Sequence, residues 1–106
     1  MELYKKRCVP CEGGVRPFTV RKTAEYLKGV KGWKREGKMI AKEFEFKDFA
    51  AAMRFVNKVA AIAKHENHHP DIFLHSWNKV RIMTYTHAIG GLSENDFIIA
   101  AKIDRA

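Results

Sequence analysis

The stretch from Asp48 to Pro70 constrains the fold more than any other part of this chain. Phe49, Ala52, Met53, Val56, Val59, Ala60 and Ala63 recur at helical spacing, and Arg54, Asn57, Lys58 and Lys64 fall opposite them. Asp48 offers an N-cap, because its short carboxylate can accept from the free N–H groups of a first helical turn. At the other end Pro70 bars His69 from the helical region, and Asn67 suits a left-handed C-terminal position. One long helix is therefore expected, ending in a loop that carries two adjacent histidines, His68 and His69.

Shorter elements flank it on both sides. Phe18, Val20, Ala24, Leu27 and Val30 mark a short amphipathic helix that Thr19 can cap and Gly29 with Gly32 can stop. Gly32–Gly37 reads as a strand around Trp33, and Gly37-Lys38 as a turn. Met39–Phe46 alternates, with Ile40, Phe44 and Phe46 on one face and Lys42 intruding among them. After the long helix, Phe73–Trp77 and Lys79–Thr86 form a second strand pair with a tight turn near Asn78, and Val80, Ile82 and Thr84 line one face. His87 closes that fourth strand. Ser93 and Asp96 make a capping box for a last helix containing Phe97, Ile98, Ala101 and Ile103. The order is α-β-β-α-β-β-α: an α+β domain with a four-stranded antiparallel sheet and helices packed on one face. Residues 1–17 read as an irregular arm, and 18–106 as a single domain.

The net charge of +8 raises the question of nucleic acid. The basic residues are spread along the chain, however, and no run interleaves them with aromatics, so a solvated basic surface is the expectation and no nucleic acid is implied. No apolar run reaches the length of a membrane span, and Met1–Arg7 leads into no apolar signal segment, so the expected compartment is the cytoplasm. Cys8 and Cys11 form a C-x-x-C that could be half a zinc site, a redox pair or a local disulfide. A zinc ribbon would need a second pair, and two incidental thiols in an extension is the simpler reading.

The chemistry concentrates in histidine. His65, His68, His69 and His87 cluster in the second half, and imidazole both gives and takes a proton near neutral pH. A loop freed by Pro70 lets both rings of the pair reach one pocket, and the negative end of the preceding helix favours a protonated ring. The same four histidines could instead ligate a metal, His65 and His68 lying one turn apart, but adjacent histidines rarely both ligate one ion. Spacing alone names no substrate.

The string His68-His69-Pro70-Asp71, followed by Asn78-Lys79-Val80, Thr86-His87 and Gly91-Leu92-Ser93-Glu94-Asn95-Asp96, resembles the pterin-4a-carbinolamine dehydratase family. Gly32-Trp33 and the segment Phe44–Phe49 are also similar to family segments, and the likeness runs from about Phe18 to Lys102. The resemblance implies dehydration of a 4a-hydroxytetrahydropterin to the quinonoid dihydropterin, without metal or organic cofactor. It implies His68 and His87 as acid and base and His69 as the residue that orients the pterin. Glu66, Pro70, Thr86 and Asp96 are expected around the substrate. Two positions depart: Lys64 stands where the family often carries glutamate, leaving Glu66 as the substitute, and Ile72 stands where an aromatic is frequent. The resemblance also implies a homodimer or homotetramer. Some members bind the dimerisation helices of a transcription factor, which makes a protein-binding module the alternative function.

Overall fold

The computed structural model describes residues 2–10 and 15–106; Cys11 lies outside the described residues. Helix α1 spans Val20–Leu27, strands β1 and β2 span Lys34–Glu36 and Met39–Glu45, and helix α2 spans Phe49–Glu66. Strands β3 (Asp71–His75) and β4 (Lys79–Thr84) follow, then helix α3 (Glu94–Asp104). The four strands form one antiparallel sheet in the order β1-β2-β4-β3, the expected α+β arrangement.

The three N-caps form as their residue types require. Thr19 accepts from the Lys22 N–H, Asp48 accepts from the Ala51 N–H at 2.8 Å, and Ser93 with Asp96 closes a full capping box. Asn67 takes the left-handed C-cap of α2 at φ 54°, which turns the chain out of the helix just before the histidine pair.

The sheet has one covered face. Register pairs Ile40 with Thr84, Lys42 with Ile82 and Phe44 with Val80, so these residues share the side on which α2 and α3 pack. Ile40, Val80 and Ile82 join Ala52, Phe55, Val59, Phe97, Ile98, Ile99 and Ile103 in one core. Lys42 crosses this face without burying its charge: its Nζ reaches Asp104 Oδ1 at 2.9 Å and the Lys31 carbonyl at 3.0 Å. Asp104 also accepts from Trp33 Nε1, so the end of α3 is tied to the first hairpin.

Several helix faces and boundaries differ from expectation. In α2 the buried residues are Ala52, Phe55, Val59, Ala63 and Glu66, whereas Phe49 is 53% exposed and Met53 and Ala60 are exposed too. In α1 the buried position is Thr23, while Val20 and Ala24 face solvent. Both helices carry apolar residues over more of their circumference than one contact can cover, and the sheet selects the stripe that fits. The second hairpin turns through Ser76, Trp77 and Asn78, as expected, with Ser76 and Trp77 at positive φ. Pairing Leu74 with Val80 keeps Val80, Ile82 and Thr84 inward and leaves only three residues for the connection. Asn78 also donates from Nδ2 to the Phe46 carbonyl at 2.8 Å. Strand β4 ends at Thr84, and His87 opens a 3-10 turn, His87–Ile89. Gly90 at φ 64° ends that turn, and Thr86 and Gly91 exchange backbone hydrogen bonds across it.

Candidate active site

The histidines meet where the end of α2, the end of β4 and the start of α3 converge. His68 and His69 come from the loop after α2, and Tyr85, Thr86 and His87 from the segment after β4. Together with His65, Glu66 and Asn95 they line a cleft of about 500 Å³, which Arg7, Cys8, Val9 and Pro10 of the N-terminal arm also line. That volume lies within the range of small-ligand sites.

Asp96 organises the inner side of this cleft. Its carboxylate is wholly buried and fully satisfied. Oδ1 accepts from His68 Nε2 at 2.7 Å and from the Thr84 hydroxyl at 2.8 Å; Oδ2 accepts from the Thr86 hydroxyl at 2.8 Å and the Ser93 N–H at 3.0 Å. The charge also sits in the first turn of α3, where the helix dipole favours it. A carboxylate accepts, so this contact favours the His68 tautomer that carries its proton on Nε2. The His68 side chain is 12% exposed, enough to be reached from the cleft. His69 and His87 are exposed at its edge, and the His87 ring lies 4.1 Å from that of Tyr85, centroid to centroid.

Glu66 is the second buried carboxylate, with its side chain 1% exposed. It accepts from the Cys8 N–H at 2.8 Å and from His65 Nδ1 at 2.9 Å, and pairs with Arg7 Nε at 3.1 Å and Lys102 Nζ at 3.6 Å. Burial pushes its pKa upward. The Cys8 N–H, the His65 ring and the charges of Lys102 and Arg7 outweigh that and hold it at about 2. Burial, and then the nearby charges of Glu66 and Asp96, push the Cys8 thiol up to about 12, so it stays neutral.

Five of the residues expected at the site, His68, His69, His87, Glu66 and Thr86, line the cleft. Asp96 stands behind the lining and holds His68, and Pro70, which follows the histidine pair in the loop, is not among the lining residues. Lys64 and Ile72 lie outside the lining residues. His75 points elsewhere; it bonds Glu43 and stacks on Phe73 with ring centroids 4.9 Å apart. Sequence reasoning did not single out Arg7, Val9, Tyr85 or Asn95 as site residues. The parity of β4 could have linked Thr84 and Thr86 to one partner, but no local signal brings the arm here. Among the described residues no three His, Cys, Asp or Glu side chains are grouped as a metal ion would require, and no helix is long and apolar enough to cross a membrane.

Residues 16–106 match the family model described as pterin 4 alpha carbinolamine dehydratase. The chain belongs to that family, a family of lyases. A relative from Nitrosospira multiformis that bears the family's name is 50% identical over 103 residues, covering 97% of this chain and 90% of its own. The mitochondrial pterin-4-alpha-carbinolamine dehydratase 2 of Arabidopsis thaliana is 42% identical over 108 residues, covering 97% of this chain and 58% of that protein. The crystal structure of a transcriptional coactivator/pterin dehydratase from Brucella melitensis superposes with a TM-score of 0.79 at 30% identity, covering 85% of this chain and 97% of that one.

Proposed function

We propose that this protein dehydrates a 4a-hydroxytetrahydropterin by proton transfer between its histidines. The observation that carries the reading is the His68–Asp96 pair, set in a cleft that His69 and His87 also line. In the reaction one imidazolium gives its proton to the hydroxyl on C4a. The C4a–O bond breaks as a ring nitrogen's electron pair forms C=N. The proton released from a ring N–H passes to a neutral imidazole, and water leaves. His68 and His87 exchange these protons, and which of them acts as acid depends on the face that carries the hydroxyl. His69 orients the pterin. Asp96 positions His68 and selects its tautomer, and Thr86 holds Asp96 in turn. Proton transfer of this kind supplies ~10²–10⁴-fold, enough for an already labile carbinolamine.

The test is the dehydration rate of a freshly generated 4a-hydroxytetrahydropterin. Wild type accelerates the loss of water over buffer, and His68→Ala and His87→Ala each fall by about tenfold or more. A wild type that does nothing above buffer ends this reading. The protein is proposed to work as a homodimer or homotetramer, because the exposed stripe of Phe49 and Met53 on α2 is apolar surface that a second copy would cover. The same stripe would serve a protein-binding module. Recovery of a stoichiometric foreign partner without pterin turnover would favour that second reading.

A further inference from the structure

The N-terminal arm lies outside the residues that match the family model, yet four of its residues line the cleft. The arm is pinned in place. Leu3 is buried in the core, Lys102 Nζ donates to the Tyr4 carbonyl at 2.9 Å, and Lys6 pairs with Glu94 at 2.9 Å. At Val9 one side chain does the holding. The Val9 N–H donates to Asn95 Oδ1 at 3.0 Å, and Asn95 Nδ2 donates to the Val9 carbonyl at 2.6 Å. The preceding N–H, that of Cys8, is taken by Glu66. These backbone groups are therefore all satisfied by α2 and α3, and what Val9 leaves open is its isopropyl group. Val9 as a residue is 67% exposed although it lines a cleft. An apolar group fixed in a cavity that imidazoles and a tyrosine also line suits a flat heteroaromatic ring, whose π face costs little to desolvate and gains by contact.

We propose that Val9 is a substrate-binding residue, the apolar wall against which the pterin ring rests, and that Asn95 is the positioning residue that holds it there. The proposal rests on the dehydratase reading for the identity of its ligand. It assigns the arm to affinity and leaves the proton transfer to the histidines. The thiol of Cys8, next to Val9 in the same wall, is neutral.

The experiment measures KM and kcat for dehydration together with equilibrium binding of 7,8-dihydrobiopterin, a pterin without the C4a hydroxyl. Val9→Asp, at an exposed position that the fold tolerates, raises KM and weakens probe binding by about tenfold each, the size expected when an apolar contact is replaced by a charge that must be desolvated. Its kcat changes by less than about twofold, as for a contact made equally in ground and transition states. Asn95→Ala gives the same KM shift and speeds hydrogen exchange at the Val9 amide, which a general loss of stability would not confine to the arm. Val20→Ser, an exposed apolar position away from the cleft, behaves as wild type. Unchanged probe binding and KM in Val9→Asp, with wild type active, overturns this proposal alone. A fall in kcat as large as that in kcat/KM also overturns it. A wild type that binds no pterin at all overturns the dehydratase reading and this proposal with it.

Discussion

Asp96 and Glu66 are both buried carboxylates beside one cleft, and they are held by opposite kinds of partner. Asp96 takes four neutral or imidazole donors, Thr84, Thr86 and Ser93 from the chain just before it and His68 from the loop after α2. Glu66 takes cations and an amide from the two ends of the chain: Arg7 and Cys8 on one side, Lys102 on the other, with His65 beside it. The first arrangement orients a single ring, that of His68. The second joins three elements and serves the shape of the cleft. A buried charge beside a site is thus no guide to its role until its donors are known.

The largest effect expected from breaking this contrast is at Asp96. Asp96→Asn keeps the shape but puts an N–H₂ where His68 or a hydroxyl must donate, so the His68 tautomer is no longer selected. Dehydration should fall by about a hundredfold, within the span of a lost general acid or base, while pterin binding holds. Steady-state kinetics beside probe binding reads both.

Glu66→Gln should do the reverse. It removes the charge that Arg7 and Lys102 answer and weakens the arm's anchor, so the unfolding free energy drops by about 2 kcal/mol, as for hydrogen bonds to a charged group. The fall in activity stays below about tenfold, since no proton-transfer group is touched. The sign with pH is fixed by the depressed pKa. The folded carboxyl titrates at about 2 against an ordinary 4.5. Its contribution is therefore complete above about pH 4.5 and is lost as the pH falls toward about 2. The stability gap between wild type and Glu66→Gln should close over that window. Denaturant melts at stepped pH check it, and a gap that widens on acidification would contradict the assignment.

The smallest effect sharpens the border of the site. His75 is a histidine in the same part of the sequence, but it sits on the outer sheet face with Glu43 and Phe73. His75→Ala should leave the dehydration rate unchanged and stability within about 0.5 kcal/mol.

Much of this molecule is legible in its amino-acid sequence. Thr19, Asp48 and the Ser93/Asp96 box cap the helices that their residue types and spacing predict, and Asn67 with Pro70 delivers the histidine pair into a loop. Val80, Ile82 and Thr84 face inward as their alternation requires. Each of these depends on groups a few residues apart, where backbone geometry leaves little choice. The buried stripe of α2 is not legible in this way, because Phe49 and Met53 are as apolar as Phe55 and only the sheet beneath decides between them. Lys42 on the covered face makes sense only because Asp104, from the far end of the chain, reaches it. The arm departs furthest from expectation, for nothing in residues 7–10 announces that Glu66 and Asn95 will hold them in the lining of the cleft that His68 also lines. Local spacing thus determined the elements, their order and the delivery of the histidine pair into a loop. Contacts between residues far apart in sequence decided which faces are buried and what closes the cleft, because burial is a property of two surfaces and the sequence of either one specifies only half of it.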